Sequence, residues 1–187
     1  YDRSFFFFFP DIAVITSMDA DHLDIYGTEK NMQDAFVAFT SGIKPGGLLI
    51  SKMGLVRSGD FMASQKKWYS STDTSANIHA QKINIKNGRY YFDVVLNDRI
   101  IKDVELNMGG MHNIENVIAA IAVAAQLQIE ENKIKKAVAG FAGVKRRFEY
   151  IIRSHSPSGQ EEIAEQPLSG PVFIDDYAHH QEELRAL

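Results

Sequence analysis

Two short apolar runs, "PDIAVITSM" at 10–18 and "LLISKM" at 48–53, flank a stretch with helical periodicity. In "TEKNMQDAFVAFTSGI" the residues Met32, Ala35, Phe36, Phe39 and Ile43 recur on one face of a 3.6-residue repeat. Thr28 stands where a helix cap is needed, and "KPGG" stops the repeat. A strand, a helix and a second apolar strand in this order predict a βαβ unit. Parallel strands cannot be joined by a tight turn and need such a crossover. This constrains the chain to an α/β fold with a mostly parallel sheet flanked by helices. It also places "DADHLD" (Asp19, Asp21, His22 and Asp24) after the first strand. Open α/β sheets bind ligands at the carboxyl ends of their strands.

From about 77 to 106 the pattern changes. "NIHAQKINIKNGRYYFDVVLNDRIIKDVEL" has turn signals at Asn87-Gly88 and Asn97-Asp98 and predicts a small antiparallel meander beside the main sheet. Two helices follow. The first buries Ile114, Val117, Ile118, Ile121 and Ala125; the second, "EENKIKKAVAGF", buries Ile134, Ala137, Val138 and Phe141. Gly140 and Gly143 break the pattern, "VKRRFEYII" resumes as a strand, and "PVFIDDYAHH" is a further strand with a polar end. A domain boundary is expected near Gly143, giving segments 1–143 and 144–187.

Composition excludes several classes. With 20 basic and 24 acidic residues the formal charge is −4, which offers no electrostatic footprint for nucleic acid. There are no cysteines, hence neither a disulfide framework nor a thiolate metal site, which fits a reducing compartment. No apolar run reaches membrane-spanning length. The five consecutive phenylalanines at 5–9 are too short and wrongly flanked for a signal peptide.

Four clusters could carry chemistry. In "MGGMHNIENVIAA" Asn113 and Asn116 are three apart and share a helix face. An amide offers a donor and an acceptor that match N6 and N7 of adenine, and Gly109 and Gly110 allow close backbone approach. Alternatively Asn113 caps the helix and Asn116 bonds a neighbouring loop. "DADHLD" suits a divalent cation such as Mg²⁺, or is a solvated acidic turn. "DDYAHH" holds Asp175, Asp176, Tyr177, His179 and His180, candidates for ribose or metal, or simply a polar strand end. "KRRFE" sets Lys145, Arg146 and Arg147 beside Phe148, for a phosphate or base, or as a solvated charged face. No glycine is followed by lysine, so the G-x-x-x-x-G-K-[ST] phosphate loop is absent from this stretch.

Taken in order, the strand with "DADHLD", the "GMHNIENVIAA" helix entrance, "GVKRRFE" and "IDDYAHH" resemble the Mur ligases, the ATP-dependent amide-forming enzymes of peptidoglycan synthesis. The resemblance is nearest to the branch that joins L-alanine to UDP-N-acetylmuramate through an acyl phosphate. It implies residues 1–143 as the later part of a central ATPase domain and 144–187 as the start of a Rossmann-like C-terminal domain. "YDRSF" is similar to the end of a family stretch whose magnesium-holding glutamate would precede Tyr1. The phosphate loop is expected upstream as well, and a fragment of this kind would be inactive alone.

Residue by residue, the resemblance implies the following. His22 would be a catalytic Mg²⁺ ligand. Asn113 and Asn116 would hold adenine, and Arg147 would lie against the nucleotide. Asp176 would bind ribose, with Tyr177 and His179 nearby. ATP and Mg²⁺ would be the cofactors, UDP-N-acetylmuramate and L-alanine the substrates, and the cytoplasm the location. Gln181 departs from the family's proline after the paired histidines. "AFVAF" lacks the modified lysine of some other members, which favours the alanine-adding branch. Two other readings remain: a metal-dependent hydrolase built on "DADH" and "DYAHH", and a non-catalytic nucleotide-binding module. Nothing in the sequence reports oligomeric state.

Overall fold

The computed structural model describes residues 4–19, 23–141, 143, 144, 149–153 and 172–175. The predicted βαβ unit is present. Strand β1 (Ile12–Ile15) leads through a short helix α1 (Leu23–Tyr26) and helix α2 (Glu29–Ser41) to β2 (Leu48–Lys52), which pairs with β1 in parallel. Thr28 caps α2: its Oγ1 accepts the Asn31 N–H at 3.1 Å. At the other end the Gly42 N–H bonds the Phe39 carbonyl at 3.0 Å and closes the helix.

Strand β2 is followed by β3 (Gln65–Ser70), β4 (Ile78–Lys86), β5 (Arg89–Leu96) and β6 (Arg99–Leu106) in one six-stranded sheet of order β1-β2-β3-β4-β5-β6. The first three pairings are parallel and the last two antiparallel. The expected meander therefore exists, but it continues the parallel strands edge to edge. The junction is short, with Tyr69 opposite Ile78 and Ser70 opposite His79. Strand β3 gave no clear periodic signal, because its first half, Gln65 to Lys67, is polar and its burial is confined to Tyr69 and Ser70.

Apolar packing covers both faces of the sheet. Leu48 and Ile50 of β2 join Tyr69, Phe92, Val94, Ile101, Val104 and Leu106 under helix α3 (Met111–Gln126) and helix α4 (Glu131–Ala139). Leu49, between them, faces the opposite way with Ala13, Ile15, Val37 and Ile43 under α2. Strand residues alternate sides, so one strand feeds two cores. The α3 face is as expected: Ile114, Ile118 and Ile121 are buried, with Val117 and Ala125 half-buried. The α4 face is narrower than expected. Ile134 is buried and Val138 half-buried, but Ala137 and Phe141 are exposed, because Gly140 ends the helix before Phe141 can turn inward. The phenylalanine run divides. Phe5 stacks on Phe36 and meets Phe39 edge-on, at ring centroid separations of 6.0 and 5.6 Å, whereas Phe7, Phe8 and Phe9 are exposed. Strands β7 (Glu149–Arg153) and β8 (Val172–Asp175) pair antiparallel with each other, in a separate two-stranded sheet.

The antiparallel half is bent by two irregularities that meet at Asp93. The ladder shifts register between Gln81 and Asn84 on one side of β5 and between Phe92 and Val94 on the other. Each irregularity contains a residue with positive φ, Lys82 at 54° and Asp103 at 52°. Asp93 serves both. Its Oδ1 accepts the Asp103 N–H at 3.0 Å, and its Oδ2 lies 3.0 Å from Lys82 Nζ. Burial pushes the Asp93 carboxyl up, but the Asp103 N–H and the Lys82 ammonium outweigh it and hold it below the usual range. A carboxyl lowered by folding contributes stability at higher pH and loses it as pH falls through its folded value. Asp93→Ala should therefore cost about 1–3 kcal/mol at neutral pH, since the Asp103 N–H loses its acceptor. In denaturant titrations the gap between variant and parent should begin to narrow below about pH 4, the ordinary carboxylate range, and go on narrowing as pH falls through the lower folded value. A gap independent of pH would show that the charge of Asp93 contributes nothing.

Candidate functional site

The carboxyl ends of β1, β2 and β3 and the N-terminus of α3 converge on one edge of the sheet. Helix α3 runs antiparallel to β3. Ser71, just past the carboxyl end of β3, meets Glu115 near the helix start, and Lys67, earlier in β3, reaches Gln126 at the helix end, Nζ to Oε1 at 3.2 Å. The start of α3 therefore lies where an open α/β sheet places its ligand.

The entrance to α3 is built by glycine and asparagine. Gly110 is the cap residue, with φ 87° and ψ 130°, and it carries no side-chain cap bond. Backbone there suits glycine alone. A Cβ at Gly110 would also lie 2.5 Å from Cε1 of the His112 ring, which would have to move to admit it. Asn113 sits in the first turn and is buried; its Nδ2 donates to the Gly109 carbonyl at 2.6 Å. The alternative in which Asn113 is the cap is thus corrected, because Gly110 holds that position. Asn113 instead clamps the glycine pair from inside the helix. Asn116 is exposed on the neighbouring edge, and its amide makes no hydrogen bond among the described residues. The alternative of a bond from Asn116 to a nearby loop is therefore not seen there. Nδ1 of His112 is buried and likewise has no partner among the described residues.

Around this entrance lie groups that sequence reading passed over. Glu115 joins Lys52, at the end of β2, with Nζ to Oε2 at 2.6 Å, and accepts from Ser71 Oγ at 3.0 Å. The Tyr69 hydroxyl is buried without a hydrogen-bond partner among the described residues, and burial together with the nearby Glu115 charge pushes its pKa upward. The Ser70 hydroxyl accepts the N–H groups of Thr72 and Asp73, at 3.1 and 2.9 Å, and turns the chain sharply after β3. Lys52 and Glu115 could not be paired from sequence, because they lie on different elements and neither forms a motif.

After β1, the Asp19 carboxylate is exposed and accepts from Ser17 Oγ at 2.7 Å. His22, Arg147, Asp176, Tyr177 and His179 lie outside the described residues. Among the described residues no group of three metal-ligating side chains is present, and no helix is long and apolar enough to cross a membrane.

Comparison with known proteins adds to this geometry. Residues 3–124 match the Mur ligase middle domain. A UDP-N-acetylmuramate–L-alanine ligase of Parabacteroides distasonis is 40% identical over 185 residues, covering 99% of this chain and 37% of that protein. The chain thus spans little more than a third of the length of that relative. Among solved structures, MurF from Acinetobacter baumannii superposes with a TM-score of 0.76 at 22% identity, covering 99% of this chain and 38% of that one. MurC from Thermotoga maritima gives 0.75 at 22% identity, covering 99% of this chain and 39% of that one. These likenesses carry the fold. With a parallel sheet edge, a glycine-entered helix and a family match over 3–124, the chain belongs to the Mur ligase family.

Proposed function

We propose that this chain is the nucleotide-binding part of a ligase that uses ATP to join L-alanine to UDP-N-acetylmuramate, in the cytoplasm, during peptidoglycan synthesis. The observation that carries the reading is the entrance of α3. It presents two glycines, a helix N-terminus and the exposed amide of Asn116 at the carboxyl edge of the parallel strands. The relative from Parabacteroides distasonis bears the name of this activity and matches nearly the whole chain.

ATP fits the residues present. Asn116 is exposed and offers a donor and an acceptor to the adenine edge. Asn113 acts beside it by holding the Gly109 carbonyl, which fixes the shape of the wall. Mg²⁺ is proposed at His22. The exposed Asp19 carboxylate lies three residues earlier in the chain and is of the hard-oxygen type that Mg²⁺ prefers. When bound, the ion would offset negative charge on phosphate oxygens. Arg147, Asp176, Tyr177 and His179 are proposed to reach the nucleotide from segment 144–187, a second domain that begins near Gly143. ATP would then bridge the two domains and favour their closure.

Two substitutions in the full-length ligase test this reading. Asn116→Leu keeps side-chain size and helix propensity. It should raise KM for ATP by about tenfold and weaken discrimination against GTP, since a bidentate base contact is worth about 1–3 kcal/mol. Initial rates with the two nucleotides, with circular dichroism as the folding control, decide it. A folded variant with the parent's KM and preference would make Asn116 structural. His22→Ala should lower turnover by about a hundredfold or more, as loss of charge stabilisation does, while the melting temperature changes little. Near-normal turnover would remove His22 from the site.

A further inference from the structure

Helix α3 touches the sheet mainly through Ile114, Ile118, Ala119, Ile121 and Ala122, all buried. Such packing is strong but non-directional. It holds the helix against the sheet more firmly than it fixes rotation about the helix axis. Rotation matters at Asn116. A side chain ends about 5–6 Å from its helix axis, so a turn of roughly 10° moves that end by about 1 Å. Displacements of that size can cost about a hundredfold where a reacting or recognised group must be held in place.

The first turn of α3 has no side-chain cap to hold it. Asn113 ties the first turn to Gly109 and Lys67 bonds Gln126 at the far end, but near Asn116 the directional bonds to the sheet come from Glu115, the residue before it. One carboxylate oxygen takes the Lys52 ammonium at 2.6 Å and the other takes the Ser71 hydroxyl at 3.0 Å. These partners end two adjacent parallel strands, β2 and β3. A rigid carboxylate tied at both oxygens to two strands fixes position and rotation together. Both charged side chains are partly shielded, at 37% exposure for Lys52 and 21% for Glu115. Partly exposed ion pairs generally add little net stability. Geometry is what this one can contribute.

We propose that Lys52, Glu115 and Ser71 form a polar clip that sets the rotation of α3 and thereby aims the Asn116 amide at the nucleotide base. They are positioning residues, and Lys52 and Glu115 determine nucleotide affinity and base preference without touching the base. The proposal rests on the nucleotide reading given above.

The experiment compares the full-length ligase with its Lys52→Met, Glu115→Gln and Ser71→Ala variants and with the charge-exchanged double variant K52E/E115K. Measured for each are KM for ATP, kcat, the ATP-to-GTP preference and the melting temperature, with Asn116→Leu in the same series. Expected for Lys52→Met and Glu115→Gln is a rise in KM for ATP of about five- to tenfold, within the penalty that small misplacements bring. The preference for ATP should fall, with kcat and melting temperature nearly unchanged. The rise should be smaller for Ser71→Ala and should be only partly reversed in K52E/E115K, where the ion pair is restored but the two-oxygen carboxylate on α3 is not. Melting temperatures that fall while KM and base preference stay fixed would overturn the clip and leave a purely structural ion pair. If Lys52→Met or Glu115→Gln does not fold, Ser71→Ala decides, since it removes one oxygen from the clip; unchanged KM and preference there would overturn the proposal. Asn116→Leu separates the two levels. A raised KM in that variant with unaffected clip variants overturns the clip alone, whereas an unaffected Asn116→Leu overturns the nucleotide reading beneath it.

Discussion

Burial of β2 on both faces is the constraint on which the rest of the structure depends. Leu48 and Ile50 are sealed under α3, and Leu49 is sealed under α2 on the opposite side. A strand with no solvated face needs a helix layer on each side, and a parallel neighbour needs a crossover to reach it. Chain direction then follows. Strands β1, β2 and β3 end at the same edge, and α3 returns antiparallel to them, so its N-terminus lies at that edge. The location of the candidate site is in this sense a by-product of how the core is covered.

Polar groups at that edge divide between holding the backbone and facing outward. Gly110 has a conformation that excludes other residues, and the buried Asn113 amide ties down the carbonyl of Gly109. Asn116 is left exposed one turn on. The resemblance treats the two asparagines as a pair that holds adenine. In the fold they are unequal, one clamping the loop and the other open. A buried amide must satisfy its hydrogen-bonding groups internally, while an exposed one is free to meet a ligand.

The antiparallel half follows a different logic. Strand β4 pairs parallel with β3 for only two residues before β5 and β6 take over the pairing. The sheet bends where Lys82 and Asp103 adopt positive φ, and the buried Asp93 holds both irregularities. Bulges increase local twist and re-aim the strand. An aspartate inside a β-strand would read as a mistake in periodicity. Here it is the acceptor that the distorted backbone of β6 needs, together with a counter-ion from β4.

By itself the sequence determined the βαβ unit, the Thr28 cap, the apolar face of α3, the turn at Asn87-Gly88 and the order of motifs that marks a Mur ligase. These depend on periodicity, on local capping chemistry and on glycine or asparagine where φ is positive. The cap, the turn and each apolar face are encoded within windows of about 11–18 residues, and the βαβ unit and the motif order follow from the succession of such windows. Tertiary structure alone decided the pairing of β3 with β4, the union of parallel and antiparallel strands in one sheet, the outward position of Ala137 and Phe141, and the unequal roles of Asn113 and Asn116. It alone brought Lys52, Ser71 and Glu115 into contact across 44 residues between serine and glutamate. The physical reason is that such contacts depend on which elements become neighbours when the apolar faces are covered. No local pattern of residue types records that choice.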